Sequence, residues 1–327
     1  MKKPITAASL FLLLLSVVLL SVQPAESHLS QFTGGTGGPF KDRWMGGVTW
    51  VANNSTVGAN ITGSRTALQV VQTAFNTWLS PQSAPNLNLA NLPVTQNTAG
   101  TTISRAGSDG TNLICFTCTD NAFNTPGILA ITFTTTNTGG QITDADILFN
   151  PAVTFTTNPT GSTDPANIFD LQTVATHEIG HFFGLDHSAV VRAIMFPFAP
   201  PLETTLSMDD IAGMAAVYPK ITPDVPTGSI SGTVTFAGSN VAVFGAHVFA
   251  ESTTNANAFA NFPLVRKSPI GILTLPTGAY TIPGLPADSY IVTAEPLDAP
   301  VTNDNVANYP VVFGQPFVQT PFTTRSH

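Results

Sequence analysis

Three stretches of the chain carry apolar residues at helical spacing. In residues 66–79, Leu68, Val71, Phe75, Trp78 and Leu79 fall on one stripe, and Pro81 stops the run. Residues 169–183 form the second stretch, closed by Gly184, a C-terminal stop signal. Residues 207–218 form the third. Ser207 and Asp210 make a capping-box-like pair at its start, with Asp standing where Glu is usual, and Pro219 ends it. Between the first two helices, residues 111–155 alternate short β-type runs with turns. The clearest strands are 127–135 (GILAITFTT) and 142–149 (ITDADILF), joined through Gly139-Gly140; residues 44–51 read as an earlier strand. From Ser229 the period changes to alternation. Ile230, Val234 and Phe236, then 241–249, 270–275 and 290–294, are separated by Gly and Pro turns, the pattern of a small all-β sandwich over 228–298. Residues 220–227 (KITPDVPT) hold two prolines and read as a semi-rigid spacer outside any core. Residues 299–327 are Asn- and Pro-rich and carry no assignable pattern.

At 327 residues, with 43% apolar and only 9% charged, the chain can bury two cores under a surface of Thr, Asn, Ser and Gln. Its net charge is -8 and no Lys/Arg run occurs, which argues against a nucleic-acid partner. The N-terminus reads as a secretory signal over residues 1–27: Lys2 and Lys3, an apolar run 10–20, and the small-x-small site Ala25-Glu26-Ser27. The competing reading is an uncleaved anchor, because residues 5–22 are uncharged and just long enough to span. The expected destination is extracellular, or periplasmic in a bacterium, with no membrane contact after cleavage. Cys115 and Cys118 form a lone C-x-x-C pair. A zinc knuckle would need a second pair. The pair is either a local disulfide of an oxidising compartment or two thiols with no catalytic role.

The chemistry sits in residues 177–187, HEIGHFFGLDH. The i, i+4 spacing puts His177 and His181 on one helical face, within reach of one ion. Gly184 lets the chain turn so that His187 can return to the metal from outside the helix. Three imidazoles leave an open fourth position, as a catalytic zinc requires. Glu178, beside the first ligand, can take a proton from water and pass it to a leaving amine.

HEIGHFFGLDHS (177–188) followed by IMFP (194–197) resembles the matrixin branch of the metzincins, and the resemblance extends over most of residues 44–219. It implies an α+β (α/β-like) catalytic domain over 28–219: a twisted, mostly parallel sheet with an antiparallel edge strand and three helices. Met195 fits the family's Met-turn, and LSMDDIAGMAAVYP (206–219) looks like its last helix, with Asp209 and Asp210 as paired acids that anchor that turn. GILAITF (127–133) looks like the edge strand against which a peptide lies extended, so Leu129 and Ala130 are candidate substrate contacts. Residues 195–206, Pro197 among them, would wall a pocket for an apolar side chain just after the scissile bond. Ile131 and Asp146 stand where a second, structural zinc would have histidines, so one zinc is expected. The family's latency segment is also missing, because the signal runs almost directly into the catalytic domain. The family commonly binds calcium; Asp120, Asn121, Asp144, Asp146 and Asp164 are oxygen donors that match no fixed calcium motif. Asn53, Asn54 and Asn60 fit the glycosylation pattern. Residues 276–296 resemble a carboxypeptidase-regulatory-like sandwich.

The resemblance implies a monomeric zinc endopeptidase acting on protein or peptide. Two rivals stand beside it: a secreted adhesion protein with a decayed protease domain, and a zinc amidase acting on a non-protein substrate. The two domains are expected to fold independently; the competing reading is that the sandwich caps an apolar patch of the first.

Overall fold

Thr66 starts helix α1 (Ala67–Leu79) through a capping box: its hydroxyl accepts from Gln69 N at 3.2 Å and its own N–H reaches Gln69 Oε1 at 2.9 Å. The buried stripe runs through Val70, Val71, Ala74, Phe75 and Trp78; Leu68 and Leu79 lie at its margin, so the face is turned from the one the spacing suggested. The reason is tertiary. Phe75 stacks on Trp50 of the sheet at 5.2 Å, and Trp78 Nε1 donates to Thr176 O of the second helix at 2.8 Å. Each such buried side chain contributes about 1.5–3 kcal/mol. In this computed structural model the described residues are 30–33, 40–54, 60–87, 92–158, 168–191, 193–198, 203–254, 259 and 261–327. The signal segment 1–27, Asp164 and residues 199–202 of the expected pocket wall lie outside them.

Five strands form the central sheet, in the spatial order Val94–Thr101, Val48–Asn53, Asn112–Cys115, Ile142–Phe149, Ala130–Thr136. The first three pairings are parallel; Ala130–Thr136 lies antiparallel along Ile142–Phe149 and forms one edge. Helix α2 (Leu171–Phe182) begins two residues later than the periodicity indicated. Ile168–Asp170 pairs in parallel with Thr154–Thr156, and Asp170 then caps the helix, accepting from Gln172 N and Thr173 N. Helix α3 (Met208–Val217) carries the expected capping box between Ser207 and Asp210. Cys115 and Cys118 are joined in a disulfide, which resolves the two readings left open for that pair.

The second half of the chain is built from strands and a short tail. Thr227–Thr233 pairs with Ala279–Pro286, and a four-stranded sheet runs Ile270–Leu273, His247–Ser252, Tyr290–Glu295, Arg325–Ser326. The strand Ala279–Pro286 escaped the alternation pattern because Pro283, Gly284 and Pro286 interrupt it; it needs only one partner, in a two-stranded ladder. Residues 299–327, unassignable from sequence, supply helix α4 (Asn308–Val312) and the last strand.

The expected spacer at 220–227 is not free. The Asn86 side chain brackets Val225, donating to its carbonyl at 2.9 Å and accepting from its N–H at 2.8 Å, and Val225 is buried. Thr227 already belongs to a strand. The two halves also share a core. Ala212 of α3 packs in the cluster of Val243, Ala246, Val248 and Ile272, while Met208 N and Arg266 O, and Arg266 N and Leu206 O, bond across the junction. Gly284 sits so close to α3 that an added Cβ would stand 2.8 Å from the Ala212 Cβ.

Candidate metal centre

Helix α2 places His177 and His181 one turn apart, and their Nε2 atoms stand 3.1 Å from each other. The helix then stops abruptly. Gly184 takes φ +94°, a left-handed conformation that L side chains rarely adopt, and the site of a Cβ there is 2.0 Å from Asp42 O. Leu185 N bonds back to Gly180 O, and the reversed chain brings His187 beside the other two rings, at centroid distances of 5.3 and 4.9 Å. The ligand atoms of the three imidazoles lie within 4.8 Å of one another, and they form the single such cluster of metal-binding side chains among the described residues.

Each imidazole is oriented by a backbone carbonyl. His177 Nδ1 meets Ile194 O at 2.7 Å, His181 Nδ1 meets Leu185 O at 2.8 Å, and His187 Nδ1 meets Asn305 O at 2.7 Å. A carbonyl only accepts, so each Nδ1 carries the proton and each Nε2 presents a lone pair. Burial, with His187 nearby, holds the His177 pKa down at about 3, keeping that ring neutral. Two lone pairs facing each other 3.1 Å apart call for a cation between them. A zinc with Zn–N bonds of about 2.0–2.1 Å would set tetrahedral edges of about 3.3–3.4 Å. The donor set and the fixed tautomers therefore fit zinc.

Met195 is fully buried against helix α2, which carries two of the three histidines. A Cβ on Gly180 would come within 2.2 Å of its sulfur, so the glycine between the two helical histidines lets the thioether pack against the helix backbone. The loop carrying Met195 is pinned by Asp210, which accepts from Ile194 N at 2.9 Å and Met195 N at 3.1 Å while also holding Ser207. Asp209, beside it, accepts from Ser188 Oγ at 2.6 Å and from Gly271 N of the second half at 2.8 Å.

Glu178 is buried and faces the edge strand. Thr132 Oγ1 donates to its Oε2 at 2.6 Å and lies 3.1 Å from its backbone carbonyl. Burial pushes the Glu178 carboxyl up to about 7, and the Thr132 bond opposes that rise. Neither Thr132 nor Asn305 was identified from the sequence; both lie far along the chain from the histidine motif and belong to no spacing rule.

Other sequence candidates fall as follows. Leu129 is half-buried, with its carbonyl accepting from Asn150 N; Ala130 is buried at the head of the edge strand. Pro197 is half-buried between Phe196, which packs into the C-terminal tail, and the exposed Phe198. Ile131 packs on the disulfide cluster, and Asp146 accepts from Gly107 N and Leu113 N, both at 2.8 Å. Asp120 caps a short 3-10 turn at Asn121–Asn124. Asp144, near Asp146 and Asp109, is raised to about 7 by burial and by repulsion from those two acids. Asn53 is buried and donates to Ile103 O, and Asn60 donates to Val153 O, so both amides serve the fold.

Comparison with known proteins points the same way. The matrixin peptidase family matches residues 44–219. Metalloendoproteinase 1 of Glycine max is 52% identical over 52 residues, 15% of this chain and 17% of that protein. Metalloendoproteinase 4-MMP of Arabidopsis thaliana is 37% identical over 98 residues, 28% of this chain and 29% of its own length. Stromelysin-3 of Rattus norvegicus is 37% identical over 93 residues, 27% and 17%. The chain thus spans less than a third of the length of each of these relatives. With the family match covering more than half of the 327 residues, and with three histidines converging beside a helix that packs on a buried methionine, this chain belongs to the matrixin family.

Proposed function

We propose that the protein is a secreted zinc-dependent endopeptidase in which His177, His181 and His187 hold one zinc and Glu178 is the general base. The observation that carries this reading is the set of three Nδ1–carbonyl pairs, which leaves three Nε2 lone pairs aimed at one point. When bound, zinc supplies Lewis acidity toward a peptide carbonyl and lowers the pKa of water toward about 7. Glu178, held by Thr132, accepts a proton from the attacking water and returns it to the leaving amine. A carboxyl poised near neutrality suits both transfers. Met195 and Asp210 keep the floor of the site rigid.

The substrate we assign is an extended peptide, added to the free side of the edge strand Ala130–Thr136 by main-chain hydrogen bonds, with Leu129 and Ala130 at its head. Pro197 and the exposed Phe198 offer apolar surface for the residue after the scissile bond. Secretion is supported by the N-terminal signal pattern and by the Cys115–Cys118 disulfide. Among the described residues, no helix is long and apolar enough to cross a membrane. Calcium binding and a carboxypeptidase-regulatory-like identity for the second half rest on resemblance alone.

The test is metal analysis joined to peptide-library cleavage with and without a zinc chelator. One zinc per chain and chelator-sensitive cleavage before an apolar residue are expected. Stoichiometric zinc with every peptide left intact would sink the endopeptidase reading.

A further inference from the structure

We infer that the C-terminal tail is a working part of the metal centre: the turn Asn303–Val306 supplies the backbone carbonyl that positions the third ligand, His187. The inference rests on the reading of the three histidines as a zinc site. Two of the three orienting carbonyls are local: Leu185 lies within the histidine motif and Ile194 seven residues after it. The third comes from Asn305, 118 residues further on, at 2.7 Å from His187 Nδ1.

The turn is built to hold that carbonyl still. Asn305 Oδ1 accepts from Thr302 N at 2.9 Å, Asn305 N donates to Thr302 O at 3.0 Å, and Asn303 Oδ1 accepts from Val318 N at 3.1 Å. Val306 is fully buried in a cluster with Phe244, Tyr309 and Phe196. Phe196 is the residue after Met195, so one cluster ties the tail both to His187 and to the loop beneath the zinc site. Tyr309 stacks on Phe244 at 5.5 Å and donates to Leu273 O at 3.1 Å, which fastens the tail to the second half of the chain. A partner of this kind fixes the imidazole's tautomer and aim, and its loss weakens a metal site without removing a ligand. Asn305 is therefore a positioning residue, and the second half of the chain is a support of the metal centre.

The experiment uses the full-length chain, with Asn303→Ala/Asn305→Ala to release the turn, the milder Asn305→Ala should the double variant fold poorly, and Asn305→Asp, which keeps the acceptor, as rescue. Zinc affinity is read by chelator competition, and the Nδ1–H protons of the three histidines by NMR on zinc-loaded, histidine-labelled protein. The expected result is a loss of about 10- to 100-fold in zinc affinity, with the His187 proton alone lost to solvent exchange and both recovered in Asn305→Asp. Affinity within twofold of wild type with all three protons retained overturns the inference. So does simultaneous loss of all three protons in both alanine variants, which marks a merely structural tail. A wild-type chain that binds no zinc overturns the reading of the site itself, and the inference with it.

Discussion

Glu178 and Gly184 show how much chemistry a single position carries. Glu178 contributes no ligand atom to the histidine cluster, yet it is the buried carboxylate closest in sequence to it. Glu178→Ala is expected to retain one zinc per chain and to lose roughly 10²- to 10⁴-fold in peptide turnover, or more; near-native turnover of that variant would remove the mechanism. Gly184 has a different burden, since it must turn the chain at φ +94° with Asp42 O where a side chain would begin. Left-handed strain alone costs about 1–3 kcal/mol, and the blocking atom is backbone that cannot rotate away. Gly184→Ala should therefore lower the urea midpoint markedly and release zinc together with structure, followed by circular dichroism and metal content. An unchanged midpoint would mean that the turn after α2 has an alternative course.

At the scale of elements, the contact between the edge strand and α2 ties the proposed substrate platform to the proposed base. Thr132 lies on the strand, Glu178 on the helix, and their 2.6 Å hydrogen bond stabilises the ionised carboxylate. Removing it leaves the same burial with less compensation, so the Glu178 pKa rises from about 7. Because the base acts only when deprotonated, the acid limb of the kcat/KM profile of Thr132→Val should move to higher pH, with the alkaline side little changed. A limb that stays in place, or moves toward acid, contradicts the assignment of Glu178 as base. Alternation along the same strand sends Ile131 and Phe133 to the opposite face, onto the disulfide cluster.

For the whole molecule, the question is whether the first half stands alone. Residues up to 219 contain every proposed ligand and the base, which is why the sequence suggests an independent catalytic unit. The structure shows a shared construction instead. α3 lends Ala212 to the second half's core, Asp209 accepts from Gly271 N, Arg266 pairs with Glu203 at 3.0 Å, and Asn305 reaches His187. A chain ended at 219 would expose that face of α3 together with Phe196 and leave buried Asp209 short of a donor; leaving such a group unpaired costs about 1–3 kcal/mol or more. We expect the truncated chain to aggregate or to bind zinc weakly, checked by size-exclusion chromatography and metal content. A monomeric, zinc-loaded, active fragment would restore the two-independent-domain view.

What the sequence determined by itself was local. The histidine spacing, Glu178, Gly184, Met195 and the Ser207–Asp210 cap are all legible because helical period and capping act within a few residues. The mostly parallel sheet with its antiparallel edge was legible through resemblance, and the structure has it. The tertiary structure decided the rest. Thr132 holds Glu178 from 46 residues away, Asn86 straps the expected spacer from 139, and Asn305 orients His187 from 118. Such contacts leave no periodic trace, since a backbone carbonyl is the same in every residue type and an Asn or Thr hydrogen bond needs only the right position in space. Which face of α1 turned inward was likewise settled by what stood opposite it, Trp50 and α2, because packing chooses among the apolar stripes that a helix offers.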